Sequence, residues 1–178
     1  MIPDPTIVAS SIAYSGRIFD IELHELVMAN GVETKREIIR HPGAVCMVPV
    51  TAQGTLLLVT QFRLAAGRRL LELPAGTLEQ GEQPIDCAAR ELQEEVGHAA
   101  ATITPAGGFF VAPGYTSEYI HLFICTDLRV ATLPGDDDED IEVETVPLAL
   151  ALRHIEEGVI CDAKSVIGIL KYARSLGL

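Results

Sequence analysis

Hydrophobic and polar residues alternate along IFDIELHEL (Ile18–Leu26), with Ile21 and Leu23 on one face and Glu22 and His24 on the other. This period of two predicts a half-buried strand. Asn30-Gly31 is a hairpin turn signal, and VETKREIIR (Val32–Arg40) returns as a second strand. AVCMVPV (Ala44–Val50) and TLLLVTQF (Thr55–Phe62) are short apolar runs joined by a turn containing Gly54, which predicts two buried strands. YIHLFICTD (Tyr119–Asp127) adds another. Between Pro84 and Val96 the pattern turns helical: Ile85, Ala88, Ala89, Leu92 and Val96 fall on one face, and Glu91, Glu94 and Glu95 fall together on another. Pro84 suits a first helical turn and Gly97 a helix end. LALALRHIEEG (Leu148–Gly158) and DAKSVIGILKYARSL (Asp162–Leu176) predict two further helices, the second capped by Asp162. Mixed strands and three helices without regular β-α-β alternation predict an α+β fold, a sandwich of mixed sheet between helices, with an added N-terminal β-arm.

Composition adds bounds to this outline. A chain of 178 residues with 48% hydrophobic content is long enough for one domain with a full core and a short extra arm, without disulfide or metal staples. No run of 18 apolar residues predicts a membrane span, and MIPDPTIVAS lacks the basic and apolar regions of a signal peptide. A cytoplasmic protein is the expectation. Cys46, Cys87, Cys125 and Cys161 are widely spaced and read as free thiols. The five histidines form no H-x-H or H-E-x-x-H pattern, which argues against zinc. A net charge of −12 argues against nucleic acid as a partner and requires local arginines or cations to hold a phosphate compound.

The acidic helix face is where chemistry concentrates. Glu91 and Glu95 are like charges at i,i+4, a pairing that costs a helix roughly 0.2–0.5 kcal/mol. There is no nearby lysine, and Arg90 is the one adjacent cation. Three carboxylates on one face form a hard-oxygen cluster suited to Mg²⁺ or Mn²⁺; a solvated acidic face is the plain alternative. Glu82, just before the helix, either turns back towards the cluster or acts on the helix N-terminus.

From Gly76 to Gly97 the chain reads G-x5-E-x7-R-E-L-x-E-E-x-G. This resembles the Nudix box of the Nudix hydrolases, with one departure: His98 stands where an aliphatic residue is usual. The resemblance implies an α/β/α Nudix-type sandwich whose box, a loop–helix–loop, binds divalent metal and cleaves a nucleoside diphosphate linked to another group. It implies a metal site built from Glu91, Glu95 and the carbonyl of Ala75. Glu94 is a ligand or orients water, Glu82 is a secondary ligand, and Arg90 orients the carboxylates. Mg²⁺ is the expected cofactor, with Mn²⁺ able to substitute.

The resemblance covers the chain from about Tyr14 to Leu178 and is strongest to the ADP-ribose pyrophosphatase subgroup. LLELPAGTLEQGE, Pro113, APGYTSE, DAKSVIGIL, QFR and KREIIRHPGAV carry it. It implies hydrolysis of ADP-ribose or related ADP-sugars to AMP and ribose 5-phosphate. Position by position, the resemblance implies Arg63 at the diphosphate, Arg36 and Glu37 at adenine and ribose from the partner subunit of a dimer, and Glu118 at the terminal ribose. Pro113 and Gly114 belong to the substrate loop. Phe19 stands in for aromatic residues that the subgroup carries near Arg17 and Ile18. Within the acidic loop Gly135–Glu142, Glu139 is the first choice for a catalytic acid that joins the metal site or acts as base, and Asp137 the second. The expected organisation is a β-arm over residues 1–42 that contacts a second copy in a homodimer, and a hydrolase domain over residues 43–178. Two rival readings stay open: the same chemistry on another nucleoside diphosphate derivative such as GDP-mannose or a dinucleoside polyphosphate, and a non-catalytic nucleotide sensor on the same fold.

Overall fold

Strand β4 (Ala44–Pro49) is buried at every position, as an apolar run covered on both faces must be. The computed structural model describes residues 3–135 and 140–178. Those residues group into two units, 44–109 with 120–135 and 140–178, and 3–43 with 110–119.

In the first of these units, β4 lies in a four-stranded sheet of order β7-β4-β9-β8, with β7 (Ala75–Thr77), β8 (His98–Phe110) and β9 (Tyr119–Val130). It pairs parallel with β9, Ala44 opposite Ile120, and antiparallel with β7, Cys46 opposite Ala75. A second sheet, β10-β5-β6, is built from β5 (Thr55–Arg63), β6 (Arg68–Glu72) and β10 (Glu142–Pro147). The strand alternation separates two cores. Cys46, Val48, Leu56, Leu58 and Leu122 pack with Ala151 of α2 (Leu148–Glu156) and Ile169 of α3 (Ala163–Ser175). Val45, Met47, Leu57, Val59 and Phe123 pack with Cys87, Ala88 and Leu92 of α1 (Pro84–Glu95). Alternate side chains of one strand thus face opposite helical layers, which makes the α+β sandwich of sheet between helices.

Helix α1 begins with Pro84 in its first turn after an extended Gln83, and Gly97 follows it at φ 68°. That left-handed conformation ends the helix and favours glycine. The helix is rotated relative to the sequence expectation. Ile85 is 45% exposed, whereas Cys87 and the carboxylate-bearing Glu95 are buried. The apolar stripe therefore runs through Cys87, Ala88, Leu92 and Val96, and one of the three glutamates is drawn inward. On α3 the Asp162 side chain accepts the Ser165 backbone N–H at 3.1 Å, the N-cap that the sequence predicts.

The second unit is a three-stranded antiparallel sheet, β1 (Thr6–Ser15), β2 (Asp20–Val27) and β3 (Glu33–Arg40), in the order β1-β2-β3. The Asn30-Gly31 turn joins β2 to β3, closed by the Val32 N–H donating to Asn30 Oδ1 at 3.1 Å. Every residue of β1 is exposed, and the pairing with β2 slips at Ile7/Ala9 and at Ile12/Tyr14. In the same unit the segment after Phe110 folds back on β3. The Ile39 N–H donates to the Tyr115 carbonyl at 2.8 Å, and the Ser117 N–H to the Ile39 carbonyl at 2.9 Å.

Candidate active site

The acidic face of α1 meets the strand that precedes it. Ala75 in β7 donates its backbone N–H to Glu95 Oε2 at 3.0 Å, which accounts for a glutamate buried to 7% exposure. Gly76 lies against Glu91: a Cβ there would stand 1.9 Å from the Glu91 Cδ and 2.0 Å from its Oε1. Arg90 supplies the counter-charge. Its Nε and Nη2 donate to Glu82 at 2.9 and 3.0 Å, and its Nη1 donates to Glu91 and to Glu94, each at 2.8 Å. The repulsion along the helix is therefore offset from within the helix. Glu82 also accepts the Glu79 N–H at 3.0 Å, closing the loop before α1. Paired with Arg90, the Glu82 carboxyl is held down to about 2, and the same carboxylates hold Arg90 above its ordinary range.

The structure thus gathers Ala75, Glu82, Glu91, Glu94 and Glu95 around one helix face. Among the described residues no three His, Cys, Asp or Glu side chains form a preassembled cation cage; Arg90 stands between Glu82, Glu91 and Glu94. The donor chemistry nevertheless fits a hard divalent cation, because every candidate donor is an oxygen. The bare backbone at Gly76 leaves the space that the Glu91 carboxylate occupies.

A second charged group in this unit was not read from the sequence as a unit. Arg63, at the end of β5, forks onto Glu72 of β6, with Nε at 3.1 and 3.2 Å from the two carboxylate oxygens and Nη2 at 2.7 Å. Glu72 is 1% exposed. Lys164 of α3 donates to the same Glu72 Oε2 at 2.6 Å and to Asp162 Oδ2 at 2.9 Å. Burial works against the charge on Lys164, but Asp162 and Glu72 outweigh it and hold the ammonium above its ordinary range. Glu95 lies close enough for its charge to act on Arg63. The signal that points to Glu72 is an isolated acid inside the apolar run LLELPAG, which a buried ion pair explains. Gln61, two residues before Arg63 on the same face of β5, is buried, and its Nε2 makes no hydrogen bond among the described residues.

The other expected substrate residues lie in the β-arm unit. Arg36 and Glu37 are exposed on β3, opposite His24 and Leu23 in the register with β2. Arg36 donates to Thr34 Oγ1 at 2.6 Å and to the Lys35 carbonyl at 2.8 Å. Pro113 and Gly114 are exposed in the turn that bonds to Ile39, so this turn sits beside the strand carrying Arg36 and Glu37. Glu118 ends the turn, its carbonyl accepting the Val111 N–H at 3.1 Å. Phe19 is 37% exposed and lines a depression of about 370 Å³ with Gly16, Arg17, Ile18, Arg40 and His41. Glu22 beside it is held down to about 2 by hydrogen bonds from Arg40 and His24. Glu139 and Asp137 lie outside the described residues. Of the acidic segment, the described Asp140 pairs with Arg69.

The site is a carboxylate-bearing helix packed against a short strand at Ala75–Thr77, in a sheet layered between helices. The NUDIX domain model matches residues 40–166, and the chain belongs to the Nudix hydrolase family. Nudix hydrolases generally use divalent metal ions. The chain is 38% identical over 164 residues to an ADP-ribose pyrophosphatase of Bacillus subtilis (strain 168), spanning 91% of this chain and 89% of the relative. It is 35% identical over 167 residues to a GDP-mannose pyrophosphatase of Klebsiella pneumoniae subsp. pneumoniae, spanning 87% of this chain and 83% of the relative. A crystal structure of an ADP compounds hydrolase superposes with a TM-score of 0.89 at 26% identity, covering 99% of this chain and 96% of the other.

Proposed function

We propose that this protein hydrolyses the diphosphate bond of ADP-ribose to AMP and ribose 5-phosphate, with Mg²⁺ as cofactor and Mn²⁺ able to replace it. The observation that carries the reading is the α1 carboxylate face tied to Ala75 and Arg90. In this reading Glu91 and Glu95, with the Ala75 carbonyl, hold the metal, Glu94 adds a ligand or orients water, and Glu82 is a secondary ligand. A bound divalent cation neutralises charge on the pyrophosphate oxygens. Arg90 hydrogen-bonds Glu82, Glu91 and Glu94 and holds the three carboxylates aimed together. Arg63 presents its guanidinium to the diphosphate. Arg36 and Glu37, supplied by the second copy in a dimer, hold adenine and its ribose with help from Phe19, and Glu118, with Pro113 and Gly114 shaping its turn, holds the terminal ribose. Glu139 takes the proton from the attacking water, with Asp137 as the alternative. One water is consumed and the two phosphomonoesters leave.

The β-arm, residues 1–42, joins a second copy, so the working enzyme is a homodimer of cytoplasmic location, in keeping with four free thiols of which Cys46, Cys87 and Cys125 are buried. GDP-mannose is the second reading, favoured by the Klebsiella relative.

The test is turnover of the pure protein with Mg²⁺ on ADP-ribose, GDP-mannose and diadenosine polyphosphates. ADP-ribose is expected to give the highest kcat/KM. Glu91→Gln and Glu95→Gln are each expected to lower kcat by a factor on the order of 10²–10⁴. Preference for GDP-mannose selects the second reading, and normal turnover in both variants removes the metal assignment.

A further inference from the structure

Lys164 sits on the first turn of α3, far along the chain from β5 and β6, yet its Nζ is 2.6 Å from Glu72 Oε2, the oxygen that also accepts from Arg63 Nη2 at 2.7 Å. A carboxylate exposed to only 1% requires partners for its lone pairs, and here three N–H groups converge on it. The α3 turn is itself fastened to the strand: Ser165 Oγ accepts the Leu73 N–H at 2.7 Å, and Asp162 Oδ2 accepts from both Lys164 Nζ and the Ser165 N–H, at 2.9 and 3.1 Å. Arg63 differs from its partners. Its side chain is 40% exposed, against 2% for Glu72 and 12% for Lys164. Its Nε and Nη2 are spent on Glu72, while Nη1 makes no hydrogen bond among the described residues.

We infer that Lys164 is a positioning residue for Arg63: by fixing the Glu72 carboxylate it holds the guanidinium in one pose, with Nη1 kept for a phosphate oxygen of the substrate. The inference rests on the reading that Arg63 binds the diphosphate. An arginine ordered in advance loses less freedom when an anion binds than one recruited from solvent, so affinity is gained through preorganisation. The cation that does this comes from α3, which makes the closing helix a participant in substrate recognition. An alternative is that the network only fastens α3 to β6; breaking it would then lower thermal stability and leave substrate affinity alone.

A double-mutant cycle separates these, with KM, kcat and melting temperature measured on ADP-ribose with Mg²⁺. Lys164→Met is expected to raise KM about tenfold while kcat stays within about threefold, the pattern of lost binding shared by ground and transition states. Lys164→Arg is expected to recover part of that KM. Arg63→Gln is expected to raise KM, and adding Lys164→Met to Arg63→Gln is expected to change KM less than about twofold, because coupled residues are non-additive. If Lys164→Met lowers the melting temperature with KM unchanged, or raises KM by the same factor in both backgrounds, the positioning role is overturned. If Arg63→Gln leaves KM unchanged, the diphosphate role of Arg63 falls first and the inference with it. Should Lys164→Met fail to fold, Lys164→Gln, which retains a donor for Glu72, enters the cycle under the same criteria.

Discussion

At Gly76 the backbone of β7 comes so close to Glu91 that one methyl group decides the geometry. The residue is not in the left-handed region, so alanine suits its backbone; the obstacle is the carboxylate, 1.9 Å from where Cβ would lie. Gly76→Ala must therefore push Glu91 off its place beside Arg90. Displacements of about 1 Å near reacting groups cost on the order of 10²-fold in rate. Gly76→Ala is expected to lower kcat/KM by about that factor and to raise the metal concentration needed for half-maximal rate. A metal titration with ADP-ribose measures both; no change in either means that Glu91 has room to spare and does not act where the proposal puts it. The same scale bears on Glu95, whose buried carboxylate accepts the Ala75 backbone N–H.

Helix α1 carries a conflict that it settles internally. Arg90 bonds to Glu82, Glu91 and Glu94, so a face of like charges becomes a network with its own counter-ion. Glu82 is the member with a clear acid-side signature. Its carboxyl is held at about 2, below its ordinary value of 4.5, first by the Arg90 hydrogen bonds. A depressed folded value means that the stabilisation is complete above the unfolded value and is lost as pH falls towards the folded one. In metal-free buffer, the melting-temperature advantage of the wild type over Glu82→Gln is expected to be constant above about pH 4.5 and to shrink between 4.5 and about 2. An advantage that does not vary across that window shows that the Glu82–Arg90 pair contributes nothing to folding.

At the scale of the molecule, β1 is a strand in search of a cover. It is the edge of its sheet, all ten of its residues are exposed, and Ile7, Val8, Ile12 and Tyr14 are each between 57% and 64% exposed. Open apolar edges promote association, and soluble proteins protect them. With the proposed homodimer, light scattering is expected to give twice the 19.1 kDa chain mass. Ile12→Asp is expected to shift the protein towards monomer and to lower kcat/KM for ADP-ribose. A fully active monomer at micromolar concentration refutes the dimer and the use of a second copy at the site.

What the sequence determined by itself was local. The apolar runs of β4 and β5, the helical spacing of α1 with its carboxylates, the Asp162 cap and the Asn30-Gly31 turn all depend on neighbours within a few residues, and each appears where its pattern placed it. The short strand β7 was illegible because Ala75–Thr77 has no periodicity of its own and is a strand only through its pairing with Cys46. Strand β8 was hidden by its alanines, glycines and proline, and β1 by its register slips. The tertiary structure alone rotated α1 so that Ile85 faces out and Glu95 faces in, and it alone joined Lys164 to Glu72 across 92 positions of chain. Periodicity records which face of an element is apolar, whereas the burial of a charge is decided by whether a distant residue arrives to pair with it.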